Sequence, residues 1–149
     1  MKIEINTREH FTVFVLTGHQ LKIANPWFTG AAELKTYQLD ELLGTKLRAL
    51  YQRRKSRDLF DLWLCLDRHL IDPAKVVDCF EHYMKHEGHS ISRAQFEQNL
   101  HGKQNDPEFM NDISPLLNPA VDYDPVKAMN VVRDVLIARV PGEPWRGAV

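Results

Sequence analysis

The sequence predicts an α+β fold, with short N-terminal strands packed on a mainly helical C-terminal bundle. Two observations predict it. Up to residue 38 the chain carries alternating or β-branched runs, and from Leu39 onward apolar residues recur at helical spacing between proline-marked starts. A length of 149 residues suits one domain with one hydrophobic core, in which residues 1–38 form the β part with its loop and residues 39–149 the bundle.

The elements follow in order. Lys2-Ile3-Glu4-Ile5-Asn6 alternates polar and apolar side chains, and residues 11–16 are β-branched and aromatic, so two short strands are expected around a turn at residues 7–10. A loop marked by Asn25-Pro26 and Gly30 precedes a third strand at residues 34–38. Leu39, Leu42, Leu43, Leu47 and Leu50 then form one helical stripe, with Asp40 as N-cap. Residues 57–69 have almost no polar face, which predicts a helix buried on most sides. Asp72-Pro73 opens a third helix with Val76, Val77, Phe80, Tyr83 and Met84 inward, ended by Gly88. Ser92 caps a fourth to about Leu100, Asp106-Pro107 starts a weak one, and Asp124-Pro125 opens a last helix to about Val140 with Val126, Met129, Val132, Val135 and Leu136 inward.

Composition narrows the functional classes. The 19 basic and 20 acidic residues nearly cancel, so bulk charge does not predict nucleic-acid binding. The basic residues cluster instead at Lys46, Arg48, Arg53, Arg54, Lys55 and Arg57. Cys65 and Cys79 lie in apolar helical patterns without metal-ligand spacing, which predicts buried thiols in a reducing cytoplasm. No segment approaches the roughly 20 apolar residues that span a bilayer, and no signal peptide is expected.

Charges fall where the helical pattern asks for apolar residues. Lys46 shares the face of Leu42, Leu43 and Leu50, so its stem either passes the core edge to water or its ammonium neutralises an anion in a cleft. Asp58 and Asp61 sit one helical turn apart at the start of an apolar run, and burying a carboxylate costs several kcal/mol unless it is paired. Arg54, Arg57 and Lys46 are the candidate partners. Two readings follow: a structural ion-pair network between two helices, or a phosphate site in which the cations hold a triphosphate while the aspartates orient them or bind Mg²⁺. Glu4 on its strand is a solvated side chain unless a neighbouring carboxylate makes it a metal ligand. His82, His86 and His89 share a helix end without a completing ligand motif, which favours solvated histidines over a metal site.

The run Lys46-Leu-Arg-Ala-Leu-Tyr-Gln-Arg-Arg-Lys-Ser-Arg-Asp-Leu-Phe-Asp-Leu-Trp63, preceded by the Lys-Ile-Glu-Ile-Asn strand, resembles the C-terminal part of AbiEii/AbiGii-type nucleotidyltransferase toxins of type IV toxin-antitoxin and phage-defence systems. The resemblance covers most of the chain and is strongest from Asp40 to Leu66. It implies that the strands are the remnant of a nucleotidyltransferase sheet, that Lys46 contacts the phosphates of an NTP, that Asp58 and Asp61 complete the site with Arg54 or Arg57, and that Glu4 occupies the third-carboxylate strand. Mg²⁺ and an NTP would be the cofactors. An antitoxin or complementary chain, a tRNA acceptor and a homodimer through a strand edge are the implied or expected partners. The upstream Gly-Gly-Ser/Thr turn and Asp-x-Asp pair of that family are not among these residues, so the site is expected to be incomplete alone. The competing expectation is a non-catalytic interaction module that keeps the fold for a protein partner.

Overall fold

A computed structural model describes residues 11–118 and 120–147. The chain forms two compact units, Met1–Gln38 and Leu39–Val149. The α+β class holds, while the described strands coincide only in part with the segments that propensity marked.

In the first unit, β1 (Thr17–Asn25) pairs antiparallel with β2 (Phe28–Thr36). The stretch expected as a loop is therefore almost entirely a hairpin, and the expected third strand is only the end of β2. Alternation explains it: Leu21 and Ile23 share a face and stand opposite Ala32 and Gly30. Asn25-Pro26 does turn the chain, with the Asn25 side-chain oxygen accepting from the Trp27 and Phe28 amides at 2.9 Å each. Residues 11–16, expected as a strand, are irregular. Strand propensity measures fit to a pleated surface, and it supplies no partner by itself. The first expected strand, with Glu4, lies outside the described residues.

The second unit holds six α-helices among its described residues: α1 (Leu39–Gln52), α2 (Ser56–Asp67), α3 (Pro73–His86), α4 (Arg93–Gln104), α5 (Pro107–Asn111) and α6 (Pro125–Val135). Three of them start alike. Asp72, Asp106 and Asp124 each precede a proline and accept the amide two residues on, at 3.0, 3.0 and 2.8 Å. Ser92 and Gln95 form a reciprocal capping box for α4. Gly88 takes φ +78° just past α3, a conformation that costs glycine little. The last helix is shorter than expected, giving way to a single 3₁₀ turn at Ile137–Arg139.

The core gathers Leu47, Leu50, Leu59, Leu62, Phe80 and Phe96 around the α1–α2–α3 junction. All five apolar residues expected inward on α3 are buried. On α1 and α6 the expected faces hold in part, with Leu43, Leu47, Leu50, Met129, Val132 and Leu136 buried. Leu39, Leu42 and Val126 are exposed, while Glu41 is fully buried on α1. Asp40 lies within α1 instead of capping it, and accepts the Asp72 amide at 2.8 Å. Helix α2 fully buries only Leu59 and Leu62 of its apolar residues, and Trp63, Cys65 and Leu66 are partly covered. Cys79 is buried, and desolvation pushes its thiol up to about 12.

Helices α1 and α3 meet closely at Gly44. A Cβ there would overlap the Cys79 Cβ and come within 3.0 Å of the Val76 carbonyl oxygen. Alanine would gain about 1 kcal/mol of helix propensity, yet forcing two backbones apart costs more. Gly44→Ala is expected to destabilise the protein by about 1–3 kcal/mol in urea unfolding. A neutral or stabilised variant would mean that this helix pair gives way easily.

Candidate acidic and basic site at the first helical corner

Three residues separate α1 from α2, and the charged cluster is built across that corner. Asp58 stands in the first turn of α2, where the helix dipole favours an acid, and its side chain has no solvent exposure. Arg53 closes on it as a fork, with Nε 2.8 Å from Oδ2 and Nη2 2.9 Å from Oδ1. Lys46 Nζ reaches the same Oδ1 at 3.2 Å and bridges to Asp61 Oδ2 at 2.8 Å. Both aspartates therefore face Lys46, as one helical turn of spacing predicts. Their environments differ: Asp61 is 42% exposed, and Lys46 is 35% exposed.

Burial draws the Lys46 ammonium downward, but its hydrogen bond and charge pairing with Asp61, and then with Asp58, outweigh that and leave its pKa raised. Folded Lys46 thus holds its proton more tightly than unfolded lysine does. The pairing contributes stability below the ordinary value of 10.5 and loses it as pH rises through the higher folded value. The Arg53 pKa is raised by its hydrogen bond to Asp58.

Of the three expected partners of Asp58, Lys46 does reach it, while Arg53 takes the place expected of Arg54 or Arg57. Arg54 turns outward to Asp106 at 3.0 Å, and Arg57 is exposed. Arg53, Arg54, Lys55 and Arg57 line a cleft of about 540 Å³ with Asp106, Glu108 and Phe109. Arg53 belonged to the basic cluster but follows the end of α1, where periodicity no longer says which way a side chain points.

Supporting contacts were silent in the sequence. Asp112, just past α5, accepts the Ser56 amide at 3.1 Å and the Ser56 hydroxyl, so it caps α2 from a distant segment. On the far side of α1, buried Glu41 accepts from the Tyr83 hydroxyl at 2.8 Å, and the Arg48 guanidinium lies 5.0 Å from the Tyr83 ring centre while pairing with Glu87 at 2.8 Å. Polar residues that a pattern scores as solvated thus add to the apolar contacts that tie α1 to α3.

The fit to a metal is poor. Both Asp58 oxygens already face Arg53 and Lys46, which leaves Asp61 as a lone candidate ligand where Mg²⁺ needs an octahedral oxygen shell. Among the described residues no three His, Cys, Asp or Glu are grouped to hold a metal, and that includes His82, His86 and His89. No described helix is long and apolar enough to cross a membrane.

Removing the two aspartates should separate their roles. Asp58→Asn is expected to cost about 2–3 kcal/mol, since it weakens charge-assisted hydrogen bonds in a buried place. Asp61→Asn should cost about 0–1 kcal/mol, as a solvent-screened pair does. Urea titrations of both variants check this, and equal losses would contradict the difference in burial.

Over residues 1–131 the sequence matches the family described as nucleotidyl transferase AbiEii toxin, type IV TA system. A search of curated proteins and one of solved structures returned no match. The matched range contains the whole Lys46, Arg53, Asp58 and Asp61 cluster, and the chain belongs to the AbiEii nucleotidyl transferase toxin family.

Proposed function

We propose that this chain is a partial nucleotidyltransferase whose helical unit supplies the phosphate-binding lysine of a nucleotidyl-transfer site. The observation that supports this most is the state of Lys46. Its ammonium is held at the surface by one buried and one exposed carboxylate, within the matched range and beside the basic corner. An ammonium has three donors, and two are used here. Asp61, being exposed, can give up its contact to an incoming phosphate at little cost, while Asp58 and Arg53 keep the lysine stem in place. Arg54 and Arg57 add positive charge for the remaining phosphates or for the backbone of an acceptor such as tRNA.

A nucleotidyl transferase family points to an NTP and a divalent metal. Since the described residues do not form a metal site, the metal-binding carboxylates must come from outside them, whether from Glu4 and its surroundings or from a complementary chain. The chain alone is then expected to bind nucleotide and to transfer it poorly. A type IV system also implies an antitoxin partner, and the reading places the protein in the cytoplasm. Among the described residues both strands of the hairpin lie at a sheet edge, which offers a homodimer contact.

One observation favours the second reading, an interaction module without catalysis: the saturation of Asp58 by Arg53 and Lys46 is also what a purely structural ion-pair network requires.

Calorimetric titration with each Mg-NTP distinguishes the two. At least one nucleotide is expected to bind saturably, and Lys46→Ala should raise its Kd tenfold or more, about 1.4 kcal/mol. Absence of binding by every NTP would overturn the nucleotide site in favour of the interaction module. Light scattering after size exclusion is expected to give the mass of a dimer, and a monomer at all concentrations would remove the homodimer.

A further inference from the structure

Lys103 is 3% exposed in the last turn of α4, and a buried lysine needs an explanation. Its ammonium donates to the Leu50 carbonyl, to the Tyr51 carbonyl at 3.1 Å and to Asn99 Oδ1 at 2.6 Å. Leu50 and Tyr51 belong to the last turn of α1, whose carbonyls have no partner within the helix. A cation there also suits the negative end of the helix dipole. Arg53 follows immediately, and its fork closes on Asp58.

We propose that Lys103 is a positioning residue for the acidic and basic corner: by clamping the end of α1 it sets where Arg53 starts, and so how Arg53 and Lys46 meet Asp58. Three acceptors match the three donors of an ammonium, whereas a neutral amine has two and must release one. The clamp is therefore complete only when Lys103 is charged. Burial lowers its pKa to about 8, with Arg54 pushing the same way and Asp58 opposing. Those two are the charged groups that face it from the corner, and Asn99 on its own helix is neutral. As pH rises through about 8 the folded protein loses this proton while the unfolded chain keeps it to about 10.5, so the clamp loosens even though global stability does not fall.

The consequence for nucleotide binding rests on the function proposed above, but the positioning itself is read without nucleotide. The measurement is hydrogen exchange of the Arg53 Nε–H by NMR, as a protection factor corrected for base catalysis. In the wild type the protection should fall by about tenfold between pH 7 and 9.5 with a midpoint near 8. At pH 7, Lys103→Gln, which keeps two donors without charge as the neutral amine does, should show the low value already, and Lys103→Met, which has none, should fall below it. A protection factor flat with pH in the wild type overturns the proposal even if the variants fail to fold. Equal values for Met and Gln variants that both fold also overturn it, since charge alone would then explain the effect. Loss of Mg-NTP binding in every protein, with the exchange pattern as expected, would count against the nucleotide site and leave the positioning role intact.

Discussion

The buried carboxylate of Asp58 constrains the corner between α1 and α2 on which the charged cluster is built. Asp58 has no solvent exposure, and a carboxylate withdrawn from water must be surrounded by donors or the fold loses several kcal/mol. Both donors that reach it come from the α1 side of the corner: Lys46 from within the helix and Arg53 from just beyond its end. The three-residue connection between α1 and α2 can therefore adopt few geometries. Replacing such a pair with apolar residues often costs a protein little, so the charges here specify an angle more than they add stability.

Other contacts serve the same corner from distant parts of the chain. Asp112 caps the start of α2, Lys103 caps the end of α1, and Gly44 lets α3 lie against α1 without a side chain between them. Each satisfies a backbone group or removes an obstacle at the junction. The result is one charge cluster with a buried anchor and a solvent-facing rim. Asp58 is the anchor, while Arg53, Asp61 and the Lys46 ammonium are each partly open to water. That division suits a site where a phosphate must displace a carboxylate without disturbing the fold.

Helix starts were legible because their chemistry is local. An aspartate before a proline needs only its own next few amides, and Asp72, Asp106 and Asp124 all cap as written. The spacing of Asp58 and Asp61 was equally local, and both meet Lys46. Strand positions were read less well. The expected strands followed β-branched residues, while the hairpin was decided by which residues on two segments could pair across the Asn25-Pro26 turn. For Arg53, pattern gave no direction, and the choice fell on its neighbours Arg54 and Arg57.

By itself, the sequence determined the fold class, the helix starts at Asp72, Ser92, Asp106 and Asp124, the inward face of α3 and Lys46 as a candidate partner of two aspartates one turn apart, because each follows from spacing along one or two neighbouring elements. Only the tertiary structure decided that Glu41 and Lys103 are buried, that Arg53 rather than Arg54 or Arg57 holds Asp58, and that Asp112 caps α2. The physical reason is the same in each case. A charged side chain reads as solvated until a partner from elsewhere in the chain supplies the hydrogen bonds that water would have made, and that partner lies up to 56 positions away.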